Sequence, residues 1–246
     1  YYDYDKAVAH GRSMFDDGAD IVDIGGESTR PFADEVSVEE ELKRIIPVIE
    51  QLSKFGAVSV DTYKSAVARR AVEAGVSIIN DVSGFTDPKM IDVAVEYNTG
   101  IVIMHMQGTP SSMQINPSYS NILDEISDFL LAQAKESMKR GLHRENIAID
   151  PGIGFGKSTE ENYLILNNSD HFSQCGFPLL IGASRKSFLR ILGFNSPADR
   201  LEGSLAAAAI SVYKGAAIVR VHDVKESLKM IHTAWAIKNN GLGKTS

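Results

Sequence analysis

Short apolar runs alternate along the whole chain with longer stretches in which apolar residues recur every three or four positions. The short runs over 19–24, 57–60, 78–80, 101–104, 147–149, 179–181 and 217–221 predict strands. The periodic stretches over 38–54, 64–74, 88–97, 120–140, 160–167, 198–213 and 225–238 predict helices, and a lone helix over 5–17 precedes them. Ser37 followed by Glu40 has the spacing of a capping box at the entrance to the helix over 38–54. No linker, repeat or low-complexity block interrupts this rhythm, which predicts a single domain over 1–246.

Strict strand–helix alternation predicts a parallel sheet of the α/β class. The lone first helix implies an eighth strand ahead of Tyr1, and a closed eight-stranded barrel takes about 250 residues. The expected fold is therefore a (β/α)8 TIM barrel whose first strand is missing from this chain. A chain extended by that strand is expected to melt higher than this one.

The ends of the strands separate a barrel from an open sheet. They carry Asp23 with Glu27, Asp61, Asn80 with Asp81, His105, Asp150, Ser184 to Lys186, and Arg220 with His222. In an open sheet only strands beside the switch point share a ligand, whereas in a barrel all strand ends ring one mouth. For Asp23, Asp81 and His105 a structural role competes evenly with a functional one. For Asp61, Asn80, Asp150, Lys186 and Arg220 the functional reading outweighs turn chemistry.

Composition narrows the class further. Apolar content of 43% and charged content of 23% are those of a globular chain, and the net charge of -7 argues against a nucleic-acid partner. No apolar run approaches the roughly 20 residues of a membrane span. Cys175 is the one cysteine, so no internal disulfide is possible and a reducing, cytoplasmic compartment is expected. His10, His143, His171 and His232 are expected at the surface without a role. No Ser-His-Asp order, Cys-His pair or zinc spacing stands out, so nucleophilic and zinc mechanisms lose ground.

The chemistry offered at the mouth is nevertheless specific. Asp61, Asn80 and Asp150 present acceptors and a donor suited to the amidine-like edge of a planar heterocycle. Lys186, Arg220 and His222 come from the last two strands, where barrels commonly hold phosphate. Ser187, at the start of the segment after SRKS, could add donors from a helix N-terminus. Together these suit a heterocycle that carries a phosphate or diphosphate.

Seven motifs then resemble the dihydropteroate synthase family in order and spacing: DIGGESTRP (23–31), SVDTYK (59–64), INDVSG (79–84), MHMQGTP (104–110), DPGIGFGK (150–157), SRKSF (184–188) and RVHDV (220–224). The resemblance implies that 6-hydroxymethyl-7,8-dihydropterin diphosphate is joined to 4-aminobenzoate, with release of diphosphate, on the way to folate. It implies that Asp61, Asn80 and Asp150 hold the pterin edge and that Val82, Ile103 and Phe155 line its pocket. Lys186 and Arg220 would cover the pterin, and Arg220 with His222 would reach the diphosphate. Thr29, Arg30, Pro31 and Ser187 would form the aminobenzoate site, where sulfonamides would compete. Lys186, Arg220, His222 and Asp61 would serve catalysis. The resemblance further implies Mg2+, organised by an Asn of the missing first strand, and a homodimer built on the last helices. Phe32 stands where relatives often have Gly. The rival readings are a methyltetrahydrofolate–corrinoid methyltransferase, which would have no diphosphate to bind, and a non-catalytic pterin-binding paralogue.

Overall fold

The computed structural model describes residues 3–29, 35–109, 112–113 and 117–241. The chain opens with α1 (Tyr4–Asp16), capped by the Asp3 side chain, which accepts from the Lys6 amide. There follow β1 (Ile21–Gly25), α2 (Val38–Leu52), β2 (Ala57–Asp61), α3 (Ser65–Glu73), β3 (Ile78–Asp81), α4 (Pro88–Tyr97), β4 (Gly100–Met104) and α5 (Ile122–Lys139). The second half holds β5 (Ile147–Asp150), α6 (Thr159–Asn167), α7 (Ser169–Ser173), β6 (Leu180–Ile181), α8 (Leu201–Tyr213), β7 (Ile218–Val219) and α9 (Val224–Lys238). Each predicted strand and helix is present. The additions are α7 and three 3-10 turns (Arg144–Asn146, Ser187–Leu192 and Pro197–Arg200).

Every strand pairs in parallel with its neighbour in the sequence, from β1 to β5 and from β6 to β7. A bridge between Ile149 and Leu179 joins the two sheets. A spatial order that never reverses is that of a barrel, since a doubly wound sheet changes direction at its switch point. The fold is thus the α/β, TIM-barrel type. Among the described residues β1 and β7 are not paired with each other, and Arg220 just beyond β7 spans that gap at the mouth.

Side-chain alternation sorts the strands into two faces. The outward set, including Val58, Val60, Ile79, Ile101, Ile147, Ile149, Leu179 and Ile181, packs against Ile45, Ile49, Leu52, Ile91, Ile126 and Leu130 of the helices. Burying one such aliphatic chain is worth about 1.5–3 kcal/mol, so this layer dominates stability. The inward set forms a small layer of Val102, Ala148 and Leu180 with Ile78 and Ile218. At the next inward position Asn80 follows Ile78, Asp150 follows Ala148 and Arg220 follows Ile218, and that change marks the floor of the site.

Local signals explain the helix entrances. Ser37 caps α2 by accepting from the Glu40 amide at 3.2 Å. Ser158 and Glu161 form a full capping box at α6, directly after the DPGIGFGK loop. Asn98, in the left-handed conformation, ends α4.

Candidate active site

Register fixes which polar side chains meet. Asp23 lies beside Ser59, Asp61 beside Asn80, and Met104 beside Asp150. Registered neighbours share a face, so all six line the mouth end of the barrel interior. Asp61, Asn80 and Asp150 are each buried to 7% exposure or less.

Arg220 ties three strands together. Its Nε lies 2.8 Å from Asp23 Oδ2 and its Nη2 2.9 Å from Asp61 Oδ2. Asp23 is further held by the Ser59 hydroxyl at 2.6 Å and the Asn80 amide at 3.3 Å. Asp23, then Asp61 and Asp150, keep the Arg220 guanidinium charged beyond its ordinary range. Asp23 is thus the guanidinium's counter-ion, which resolves its open sequence reading.

Burial sets the acidity of the ring. It pushes Asp61 up to about 7, against the pull of Arg220. Its Oδ1 is buried without a hydrogen-bond partner, a state that costs roughly 1–3 kcal/mol until a donor arrives. Burial also raises Asp150, whose Oδ1 accepts from the Gly152 amide at 2.7 Å. On the cationic side, burial lowers Lys186 to about 8, with Asp150 opposing the shift. His222 falls below its ordinary value through burial and the neighbouring Arg220 and Arg185 charges. Its Nδ1 lies 3.0 Å from the Ser184 hydroxyl, which also accepts from the His222 amide.

An apolar wall faces these groups. Val82, Met104, Met113 and Phe155 form one buried cluster, with Tyr63 and Met106 packed on it. Lys186 Nζ stands 4.6 Å from the centre of the Phe155 ring and donates to the Ile153 carbonyl. The loop that presents Phe155 depends on glycine at two points. A Cβ on Gly152 (φ +72) would stand 1.9 Å from the His105 carbonyl oxygen, and one on Gly156 (φ +60) 2.8 Å from that of Gln107.

Lys157 rivets the same two loops and was not singled out in sequence. Its buried Nζ donates to the Phe155 carbonyl at 2.8 Å and the His105 carbonyl at 3.3 Å, and lies 3.2 Å from His105 Nδ1. Burial lowers Lys157 to about 7 and, with the Lys157 charge beside it, His105 to about 3. His105 is therefore a neutral acceptor that positions a loop.

Two expectations are corrected, and the open reading of Asp81 is settled as structural. Ile103 is fully buried in the layer between barrel and helices, on the opposite face from the mouth; its neighbour Met104 is the inward residue. Asp81 also faces away, and its carboxylate caps a turn by accepting from the Ser83 amide and hydroxyl and the Phe85 amide. Ser187 is exposed and opens a 3-10 turn of six residues, too short to act as a helix-dipole anion site. Thr29 is half-buried at the loop after β1, while Arg30, Pro31 and Phe32 lie outside the described residues. Glu27 pairs with Lys64, which also binds Glu41 at 2.8 Å and the Val36 carbonyl.

Among the described residues no three His, Cys, Asp or Glu side chains gather to hold a metal ion. The mouth carboxylates nearest one another, Asp23 and Asp61, are already engaged by Arg220, so the residues present do not fit a resident Mg2+ site. No described helix is long and apolar enough to cross a membrane.

The barrel, its acid–amide ring and its cation cluster define a pterin-site enzyme, and comparison with known proteins agrees. Residues 1–222 match the family model described as pterin binding enzyme, and the chain belongs to that family. Within it the chain stands with the dihydropteroate synthases, which are transferases. It is 43% identical to the dihydropteroate synthase of Haemophilus influenzae over 97% of this chain and 88% of that one. The Yersinia pestis dihydropteroate synthase, solved with a sulfonamide drug complex, superposes with a TM-score of 0.93 at 38% identity, covering 96% of this chain and 87% of the other. The Burkholderia cenocepacia enzyme, solved with 7,8-dihydropteroate, gives 0.90 at 41% identity over 96% and 88%.

Proposed function

We propose that this mouth performs the dihydropteroate synthase reaction with its acid–amide ring on the pterin and its cations on the leaving group. In that reaction 6-hydroxymethyl-7,8-dihydropterin diphosphate and 4-aminobenzoate give 7,8-dihydropteroate and diphosphate. One observation carries the assignment of roles: the buried, unpartnered Oδ1 of Asp61, set beside Asn80 and across from Asp150. A ligand with several N–H groups along one edge satisfies that oxygen and the free Asp150 Oδ2 together.

The pterin ring then lies against Phe155, Val82 and Met104, with Lys186 at its other side. Arg220 keeps Nη1 unbonded among the described residues, since Nε and Nη2 are taken by Asp23 and Asp61. That nitrogen and His222 are available to the diphosphate. The carbon–oxygen bond breaks with its electron pair leaving on diphosphate, and the pterin methylene becomes cationic. Asp61 and Asp150 stabilise that cation because fixed charges in a buried site act strongly. The aniline nitrogen of aminobenzoate attacks the methylene and loses a proton, so no covalent enzyme intermediate forms. Aminobenzoate is assigned to Thr29 and Ser187, together with Arg30 and Pro31 of the DIGGESTRP motif.

Mg2+ would supply counter-charge to the diphosphate in this reading, and no described side chain is assigned to hold it. A homodimer would use α8 and α9, where Ile210, Tyr213, Trp235 and Ile237 are exposed. The half-buried single thiol fits a cytoplasmic setting. The dissociative order is tested by following oxygen-18 placed in the bridge between methylene and diphosphate, without aminobenzoate present. Scrambling of the label into non-bridging positions supports cleavage before attack; retention of the label in the bridge after prolonged incubation with enzyme contradicts it.

A further inference from the structure

Lys186 reaches the mouth through a turn that its own sequence does not favour. Arg185, the residue before it, has φ +56, a left-handed conformation that Cβ-bearing residues avoid. Something must hold it there, and the structure shows what does. The Arg185 amide donates to Ser204 Oγ at 2.8 Å, and its carbonyl accepts from Arg200 Nη1 at 2.9 Å. Ser204 Oγ in turn donates to the Arg200 carbonyl. The Arg185 side chain is pinned separately, with Nε donating to Asp223 Oδ2 at 2.9 Å.

Arg200 is unusual in its own right. It is 6% exposed, and its hydrogen bonds run to main-chain carbonyls: Arg185, Phe194 at 3.0 Å and Asn195 at 3.1 Å. No carboxylate among the described residues hydrogen-bonds to it, although its charge acts on the neighbouring Asp199 carboxylate. Burying a guanidinium is expensive, and an apolar side chain would fill the same volume more cheaply if filling were its task. Its planar fork suits a different one, the simultaneous restraint of several carbonyls.

We propose that Arg200 and Ser204, at the entrance to α8, are positioning residues that aim Lys186 into the mouth by locking Arg185 in its left-handed conformation. The proposal deepens the functional reading above and rests on Lys186 serving the pterin diphosphate there. The clamp grips the peptide units on both sides of the Arg185 Cα, so the chain leaves Arg185 in a fixed direction. Lys186 then lies over Phe155 with Nζ on the Ile153 carbonyl. Ser184, on the other side of Arg185, is left facing His222, so the same clamp sets Lys186 and His222 together. If Arg185 relaxes to a right-handed conformation, Lys186 turns away from the mouth.

The titration of Lys186 distinguishes this role from general support of the fold. In place, the amine is buried and faces Asp150, Asp61, Arg220, Lys157 and His222, and burial holds it near 8. Turned out to solvent, it returns toward the ordinary lysine value of 10.5. The experiment compares wild type, Arg200→Met, Arg200→Lys and Ser204→Ala, each checked by circular dichroism and thermal melting. The Lys186 ε-carbon is titrated by NMR with carbon-13 lysine, assigned against Lys186→Met, and kcat/KM for the pterin diphosphate is measured from pH 6 to 10.

Arg200→Met and Ser204→Ala are expected to raise the Lys186 titration by a unit or more and to lower kcat/KM at least tenfold at pH 7.5, with Arg200→Lys intermediate. Folded variants whose Lys186 titrates as in wild type overturn the proposal, whether activity falls or not. If Arg200→Met does not fold, Ser204→Ala reads the same clamp. A wild type that titrates near 8 but does not turn over would remove the functional reading while the clamp is still judged by NMR.

Discussion

Asp150→Asn separates binding from folding at the centre of the proposed pterin site. Asp150 Oδ1 is occupied by the Gly152 amide at 2.7 Å, and Oδ2 makes no hydrogen bond to a described residue. An asparagine can keep its oxygen on Gly152, but its amide then points where a ligand N–H must arrive, so donor meets donor. The lost charge-assisted hydrogen bond is worth about 1.5–3 kcal/mol. At about 1.4 kcal/mol per factor of ten, the dissociation constant for the pterin diphosphate should rise about 10- to 150-fold. Stability should not fall in parallel, because burial already disfavours the charged form of Asp150 and asparagine carries no charge to desolvate. Titration calorimetry with 6-hydroxymethyl-7,8-dihydropterin diphosphate gives the affinity, and thermal melting of the ligand-free protein gives the stability. An affinity within threefold of wild type would refute the reasoning, as would a loss of affinity that merely tracks unfolding.

Lys186→Ala should leave a folded protein with no measurable turnover, since the side chain sits at the mouth and not in the helix-side core; steady-state activity near wild type would remove Lys186 from the chemistry. Asp61→Asn should change how stability depends on pH. Burial raises Asp61 from 3.8 to about 7, so its contribution is fully present below 3.8 and lost as pH rises through about 7. The melting temperature of Asp61→Asn relative to wild type should therefore climb between pH 4 and pH 7.5, and a flat difference would contradict the shift. Gly152→Ala should cost about 3 kcal/mol or more in denaturant unfolding, from the left-handed backbone together with overpacking against a carbonyl. Its new Cβ would stand 1.9 Å from the His105 oxygen, and His105 cannot retreat freely while its amide bonds the Asp150 carbonyl at 2.9 Å. A cost under about 1 kcal/mol would show that the two loops separate easily.

The alternation of elements was legible because strands buried on both faces read as short apolar runs and helices keep their periodicity. The polar stops were legible for the same reason, since Asp61, Asn80 and Asp150 each end such a run. What the pattern left open was parity. The assignment of Ile103 to the pocket missed by one residue, and a one-residue slip moves a side chain to the other face of the sheet. The signal existed: with Asp150 facing inward, its parallel partner Met104 must face inward too, and Ile103 outward. The same parity settles Asp81, left open in the sequence, as outward beside inward-facing Asn80. Lys157 and Arg200 were out of reach on other grounds. A lysine after a glycine loop and an arginine before a helix read as surface charges, and their burial follows only from tertiary packing. The 3-10 turn Ser187–Leu192 was hidden as well, because a single tight turn has too little length to show a period.

The most direct test of the central claim is turnover by this chain with 6-hydroxymethyl-7,8-dihydropterin diphosphate, 4-aminobenzoate and Mg2+, with both products followed. The account predicts 7,8-dihydropteroate and diphosphate in equal amounts from wild type, and neither product from Lys186→Ala. Pterin diphosphate bound in the mouth without formation of dihydropteroate would contradict it.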